Sequence, residues 1–150
     1  RFQKLGGTYM LGDSVVSGEF EGGRLKSICT SNHGAVKFEA DNFILASGNF
    51  FSKGLTSTID GVREPIFGLD VDSLEVRAEW YKRNMFEAQP YMSFGVATDK
   101  DFRVKKNGVP VENVYAAGSI LSGFHPMKQG CGAGVSILTA LHVSSLLKNE

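Results

Sequence analysis

The chain has 150 residues, and its sixteen basic and sixteen acidic side chains cancel. That length allows one domain able to bury about two thirds of its unfolded surface. A charge balance without blocks of one sign excludes the footprint of a nucleic-acid binder or a polybasic membrane anchor, and no apolar stretch approaches the roughly 18 to 20 residues needed to span a bilayer.

The chain opens on Arg1-Phe2-Gln3 without an initiator Met, and the reading is an excised piece of something longer. Residues 8 to 48 read as short strands separated by turn chemistry. "DSVVSGEF" turns at Glu21-Gly22-Gly23 into "RLKSICT", which reverses at "SNHG" into "AVKFEA", where Val36, Phe38 and Ala40 share one face. Phe43-Ile44-Leu45-Ala46 is apolar without alternation and ends in Ser47-Gly48, the pattern of a central parallel strand covered on both faces.

Residues 49 to 95 form a mixed insert. The spacing of Leu74, Ala78 and Tyr81, with Asp72 or Ser73 as cap, predicts a helix over 73–83. Residues 94 to 112 read as a hairpin, because Phe102 and Val104 alternate before Lys106-Asn107-Gly108, and Asn-Gly suits a type I′ turn with Val109 and Val111 beyond it. Residues 114 to 117 then read as a second buried strand, 118 to 132 as a long loop, and 133 to 147 as a helix apolar on nearly all sides.

Glycine is over-represented, at 18 residues against a usual abundance of about 7%. Several glycines fall at strand ends. "FILASG" and "VYAAGS" each place a small residue and a glycine where open α/β sheets bind ligands, so Ala46, Ser47, Gly48, Gly118 and Ser119 are candidate cofactor contacts. Either one is also what a tight turn alone requires. "QGCGAGV" sets Gly130, Cys131, Gly132, Ala133 and Gly134 at the start of the last helix, where unpaired amides and the helix dipole favour electron-rich groups. The spacing is not G-x-G-x-x-G, since Ser136 falls near the third position and no strand immediately precedes it. The chain holds no other such fingerprint and no phosphate-binding G-x-x-x-x-G-K-[ST].

"NHG", "FILASGNFFSKGL", "REPIFGLDV", "EWY", "QPYMSFGVATD" and "NVYAAGSILSGFHPMKQGCGAGV" closely resemble the B-subunit family of anaerobic glycerol-3-phosphate dehydrogenase over nearly the whole chain. More distantly, "NVYAAGSI" with its glycine loop and helix is similar to the flavoprotein subunits of fumarate reductase and succinate dehydrogenase. The resemblance implies an α/β chain: the C-terminal part of a Rossmann-like flavin-binding fold, with an antiparallel β-meander and a mixed α+β insert. It divides into 1–48 (meander and one flavin-domain strand), 49–95 (insert) and 96–150 (hairpin, second flavin-domain strand, glycine loop and helix).

The function implied is oxidation of glycerol 3-phosphate to dihydroxyacetone phosphate by a flavin, FMN or FAD. Electrons would pass to quinone through partner subunits, including an iron-sulfur membrane-associated one. The location implied is cytoplasmic, peripheral on the inner membrane through those partners. Relatives begin with a nucleotide-binding half that this chain lacks, so full flavin binding would require that half. The alternative is a non-catalytic electron-transfer or assembly subunit that retains the flavoprotein fold.

Individual residues keep two readings each. Cys131 is either a reactive thiol at a helix start or, as its type favours, a small packing residue. His125 is either an acid or base facing substrate or flavin, or a loop-packing residue. Arg63, beside Glu64, either grips phosphate or belongs to a solvated ion pair. His142 reads as a hydrogen-bonded core residue and His33 as a turn residue. The distant Cys29 and Cys131 favour free thiols, and three scattered histidines without a cysteine cluster point away from a metal site. Phe50, Phe51, Trp80, Tyr81 and Phe86 read as packing for the insert, or as an exposed cluster that docks another subunit.

Overall fold

A computed structural model describes residues 1–148. The first sheet is antiparallel, in the order β1 (Val15–Glu21), β2 (Arg24–Thr30), β3 (Phe38–Glu39). Its first turn has Gly22 at φ 58° and Gly23 at φ 80°, the left-handed pair a type I′ turn demands and glycine adopts without steric cost.

The sheet that carries the candidate site has the order β4 (Phe43–Leu45), β10 (Val109–Ala116), β9 (Arg103–Lys106). Between β4 and β9 in the chain lie two small antiparallel pairs, the hairpin of β5 (Thr56–Thr58) with β6 (Gly61–Arg63), and β7 (Val71–Asp72) with the more distant β8 (Gly95–Val96). A four-residue helix, α1 (Pro126–Gln129), and a sixteen-residue helix, α2 (Gly132–Leu147), close the described chain.

The hairpin residues 109–111 and the "VYAA" strand, expected as two pieces, are one strand. β10 pairs Val109 with Lys106 in the hairpin and then runs on to pair Val114, Tyr115 and Ala116 in parallel with Phe43, Ile44 and Leu45. The turn between β9 and β10 is left-handed at Asn107 (φ 54°) and Gly108 (φ 78°). One core joins the sheets, with Leu25, Leu45, Phe67, Val96, Val104, Val114 and Ile120 among its buried side chains.

Three expectations need correction. β4 lies at the edge of its sheet, and Ile44 is exposed; an apolar run reports two faces to be covered, and here one of them is open. The helix over 73–83 is a single 3-10 turn, Arg77–Glu79. Tertiary bonds take its backbone away from a helical ladder: the Trp80 indole donates to the Leu74 carbonyl at 2.6 Å, and the Tyr91 amide donates to the Trp80 carbonyl at 3.0 Å. Among the described residues 49–95 contain strands and 3-10 turns but no α-helix, so the insert is not mixed α+β.

Asp13 ties the start of the first sheet together. Its carboxylate accepts hydrogen bonds from the amides of Ser14 and Asn32 and from the Ser31 hydroxyl, and contacts His33 Nδ1 at 2.8 Å. Desolvation pushes this carboxyl up, but the hydrogen bonds from Thr30, Asn32, Ser31 and Ser14 outweigh it and hold it well below its ordinary value. A depressed carboxyl contributes stability that is present above its unfolded value and lost as pH falls. Asp13→Asn is therefore expected to be less stable than the parent near neutral pH, with the gap narrowing below about pH 4 as the carboxyl of the unfolded parent takes up its proton. Denaturant midpoints measured from pH 7 to pH 3 check this; a gap that is constant across that range would contradict it.

Candidate functional site

Parallel pairing of β4 with β10 carries the two strand ends side by side. The Ala117 amide donates to the Leu45 carbonyl at 3.0 Å, which extends the ladder one step past both strands. Ala46-Ser47-Gly48 and Gly118-Ser119 thus emerge at one edge, and the Ser119 hydroxyl lies 3.5 Å from where a Cβ on Gly48 would sit. The last helix is docked on the same corner. Gly118 donates its amide to Thr139 Oγ1 at 2.9 Å, and a Cβ on Gly118 would lie 3.3 Å from Ser136 Oγ.

The glycines of this corner do different work. Gly48 and Gly118 have φ of 75° and 78°, and each would press an added Cβ against this chain's own Ser52 or Ser136. Backbone conformation and internal packing account for them. Gly134 is different: a Cβ there would meet nothing within 4 Å.

α2 begins at Gly132 with no side chain capping it, and the Val135 amide donates a hydrogen bond to the Cys131 carbonyl at 2.8 Å. The amides of Gly132, Ala133 and Gly134 precede that bond, so helix geometry leaves them directed outward at the positive end of the dipole. Ser47 adds a polar atom: its hydroxyl is buried with no partner among the described residues. Ser47 also lines a cavity of about 530 Å3, walled chiefly by Val15, Ile28, Ile44, Ile66 and Phe67, which lies on the β4 side of the corner and is not lined by Gly118, Ser119 or residues 130–134. Buried polar groups in folded proteins are normally paired, and an orphan hydroxyl at a cavity wall is a site for a ligand atom.

The other candidates separate from this corner. Cys131 is half-buried at the helix start, its thiol 3.7 Å from the Gln129 side-chain oxygen. His142 is not a core residue: it is exposed on α2, with its ring edge-to-face with Phe102 at 5.4 Å between centroids. His33 sits in the turn after β2 and contacts Asp13 and Thr30. Arg63 and Glu64 do not form a solvated pair. Arg63 is exposed on β6, whereas the buried Glu64 carboxylate accepts from the amides of Ile66 and Phe67 at 3.0 and 2.7 Å and holds the turn behind it. His125 caps α1, accepting at Nδ1 from the Lys128 amide at 3.1 Å. Trp80 and Phe50 pack the insert, but Phe51, Tyr81 and Phe86 are exposed.

Two residues, one at the corner and one at the opposite end of β4, escaped the reading of the sequence. Gly54 lies against the strand end so closely that its Cβ would fall 1.9 Å from the Gly48 carbonyl oxygen. Asn113, inside β10 and next to the exposed Glu112, is buried and hydrogen-bonded to Leu25 and Asp41. A lone glycine in a loop and a lone Asn within a strand carry no periodic signal.

Residues 1–135 match the family described as FAD binding domain. Similar curated proteins are B subunits of anaerobic glycerol-3-phosphate dehydrogenase. That of Yersinia enterocolitica is 47% identical over 96% of this chain and 34% of the relative, and that of Yersinia pseudotuberculosis is 46% identical over 100% of this chain and 35% of the relative. The corresponding protein of Pectobacterium atrosepticum is 43% identical over 100% of this chain and 36% of its own length. The chain thus spans about a third of the length of the curated relatives it matches. No solved structure matches.

Proposed function

The chain belongs to the FAD binding domain family, and on that premise we propose that it is the C-terminal portion of a flavin-dependent oxidoreductase subunit, that of an anaerobic glycerol-3-phosphate dehydrogenase. The observation that carries this reading is the corner where two parallel strand ends meet the uncapped start of α2. The residues there fit a flavin: an orphan buried hydroxyl on Ser47, three outward amides from Gly132 to Gly134, and open space where a Gly134 side chain would stand.

The flavin, when bound, supplies a two-electron acceptor for oxidation of the secondary alcohol of glycerol 3-phosphate to a ketone. This chain's part is to hold and tune it. Amides at the positive end of α2 favour the electron-rich, reduced ring over the oxidised one, and the absence of side chains at Gly132 and Gly134 lets a flat ring approach. Ala46, Ser47, Gly48, Gly118 and Ser119 support it from the strand ends, with Gly130, Cys131 and Ala133 completing the loop.

Three exposed apolar residues of α2 bear on the rest of the site. Ile137, Leu138 and Leu141 are 60%, 68% and 63% exposed, and contiguous apolar surface of this kind is normally covered by another surface. Together with the free edge of β4, they support a Rossmann-like arrangement in which the remaining two thirds of the relatives' length covers this face and completes the flavin site. Partner subunits, among them an iron-sulfur one at the membrane, then carry electrons to quinone; among the described residues no helix is long and apolar enough to cross a membrane.

Gly134→Leu in the full-length protein separates site from scaffold. Because the position is open and Gly is about 1 kcal/mol poorer than Leu in a helix, the apoprotein is expected to be as stable as the parent or slightly more so. Flavin content is expected to fall several-fold, and any flavin retained to show a lower reduction potential. Unchanged flavin content and potential would remove the assignment. The activity itself is tested by mixing glycerol 3-phosphate with the purified full-length subunit under anaerobic conditions: bleaching of the flavin absorbance is expected, and flavin that stays oxidised would favour an electron-transfer subunit.

A further inference from the structure

A second cavity, of about 440 Å3, opens between the segment 85–92 and α1. Its walls are mostly unbranched or aromatic side chains, Met85, Phe86, Met92 and Met127, and its polar side chains are His125, Lys128, Glu87 and Gln89. The state of the imidazole is set by its neighbours. Nδ1 accepts the Lys128 amide at 3.1 Å, so in the neutral ring the proton resides on Nε2. That Nε2 is buried and has no partner among the described residues. A buried N–H left unpaired carries a desolvation cost that a ligand acceptor removes.

The same hydrogen bond restricts what His125 can do. With its Nδ1 lone pair engaged and Nε2 protonated, the ring can donate but has no free lone pair to take a proton from a substrate hydroxyl. An N–H donor beside the Lys128 ammonium suits an anionic oxygen, and a carboxylate on the facing segment, Glu87, suits a hydroxyl. Met side chains on both sides adapt their shape to what enters.

We propose that this cavity is the substrate pocket and takes a phosphorylated polyol, with its phosphate on His125 Nε2–H and the Lys128 ammonium and a hydroxyl toward Glu87. The assignment rests on the functional reading above and names the end of the site that recognises the substrate. His125 is here a binding residue, and no proton transfer passes through it.

His125→Asn is the informative substitution, since Asn keeps an oxygen acceptor able to cap α1 and removes the buried N–H. In full-length, flavin-loaded protein it is expected to leave flavin content and thermal midpoint unchanged. Affinity for glycerol 3-phosphate, and for inorganic phosphate measured alone by calorimetry, should fall about ten-fold to a hundred-fold. Weak binding of unphosphorylated glycerol should be the same in both proteins. Parent-like phosphate affinity in His125→Asn would overturn the proposal. If that variant loses flavin or fails to fold, Lys128→Gln decides: this exposed position should tolerate the change, and a phosphate affinity equal to the parent's would overturn the proposal in the same way. The two readings fail separately, because a parent flavin that glycerol 3-phosphate does not reduce contradicts the proposed activity, whereas calorimetry with inorganic phosphate still tests the pocket.

Discussion

Asn113→Leu is expected to lower stability by about 3 kcal/mol or more and the thermal midpoint by roughly 10 °C, with secondary structure retained up to the transition. Asn113 is 2% exposed. Its side-chain oxygen accepts from the Leu25 amide at 2.9 Å, while its amide nitrogen donates to the Leu25 carbonyl at 2.8 Å and to the Asp41 carbonyl at 3.0 Å. Leu25 offers both its backbone groups to one side chain, as it would to a neighbouring strand. This is how the core sheet, through β10, is joined to the first sheet at β2 and to the chain entering β4 at Asp41.

Leucine at that position fills the volume but strands one buried N–H and two carbonyls, each costing about 1–3 kcal/mol when left unpaired. Asn113→Asp gives the contrast. It keeps the acceptor for the Leu25 amide but turns a second oxygen toward the Leu25 and Asp41 carbonyls, so the introduced carboxyl favours its protonated form. A group whose folded value is raised is stabilising when protonated and loses that contribution as pH rises. Asn113→Asp should therefore be markedly less stable at pH 8 than at pH 5, whereas Asn113→Leu should show no such dependence beyond that of the parent. Denaturant midpoints for both variants at the two pH values test the pair; a loss below about 1 kcal/mol in Asn113→Leu would mean that Leu25 finds other partners.

The contrast between Asn113 and the rest of β10 shows which features a sequence discloses. Turns are local, so Gly22-Gly23 and Asn107-Gly108 were readable from residue type alone: only a positive φ at two successive positions satisfies a type I′ hairpin. The start of α2 was also legible, because an apolar run following a glycine cluster has few other solutions. Covering is not local. The apolar character of Phe43-Ile44-Leu45 and of α2 calls for faces to be covered, but among the described residues β4 has one neighbour and α2 buries Thr139 and Val143 alone.

The failed helix over 73–83 has the same origin. Leu74, Ala78 and Tyr81 have helical spacing, yet Tyr81 is exposed and the Leu74 carbonyl goes to the Trp80 indole. Tertiary hydrogen bonds override a weak propensity when a segment packs through one aromatic anchor instead of through a face. At the candidate site, the glycines with ordinary signals, Gly48 and Gly118, turned out to serve internal packing. Gly134 was a candidate from the sequence, and the structure adds that a side chain there, as at Gly130, would meet nothing within 4 Å.

Gly54→Ala should damage the strand-end corner more than any other single methyl in the chain. A Cβ at Gly54 would stand 1.9 Å from the Gly48 carbonyl oxygen, 2.8 Å from the Gly48 carbonyl carbon and 2.7 Å from Ser47 Oγ. Two of those atoms are backbone, so rotamer changes cannot relieve the clash, and the loop must open. That loop is tightly closed on itself: the amides of Ser52 and Gly54 both donate to the Asn49 carbonyl, at 3.2 and 3.0 Å, and Lys53 takes φ 63° to make the turn. Opening it breaks these bonds, uncovers the Ser47 hydroxyl and displaces Gly48 from its place beside Ser119. The expected cost is about 3 kcal/mol or more. Flavin content in the full-length protein should fall even at temperatures where the variant is folded, because the displaced atoms are those proposed to face the cofactor. Lys53→Gly, one residue earlier, supplies the control. It removes a side chain from a left-handed backbone position that costs an L-residue about 1 kcal/mol, offset in part by the greater freedom of glycine in the unfolded chain, so stability should change by less than about 1 kcal/mol and flavin content far less than in Gly54→Ala. If Gly54→Ala retains parent-like flavin at reduced stability, the loop is only scaffold and the strand-end contribution to the cofactor site must be withdrawn; if both variants lose flavin alike, the methyl clash is not the cause.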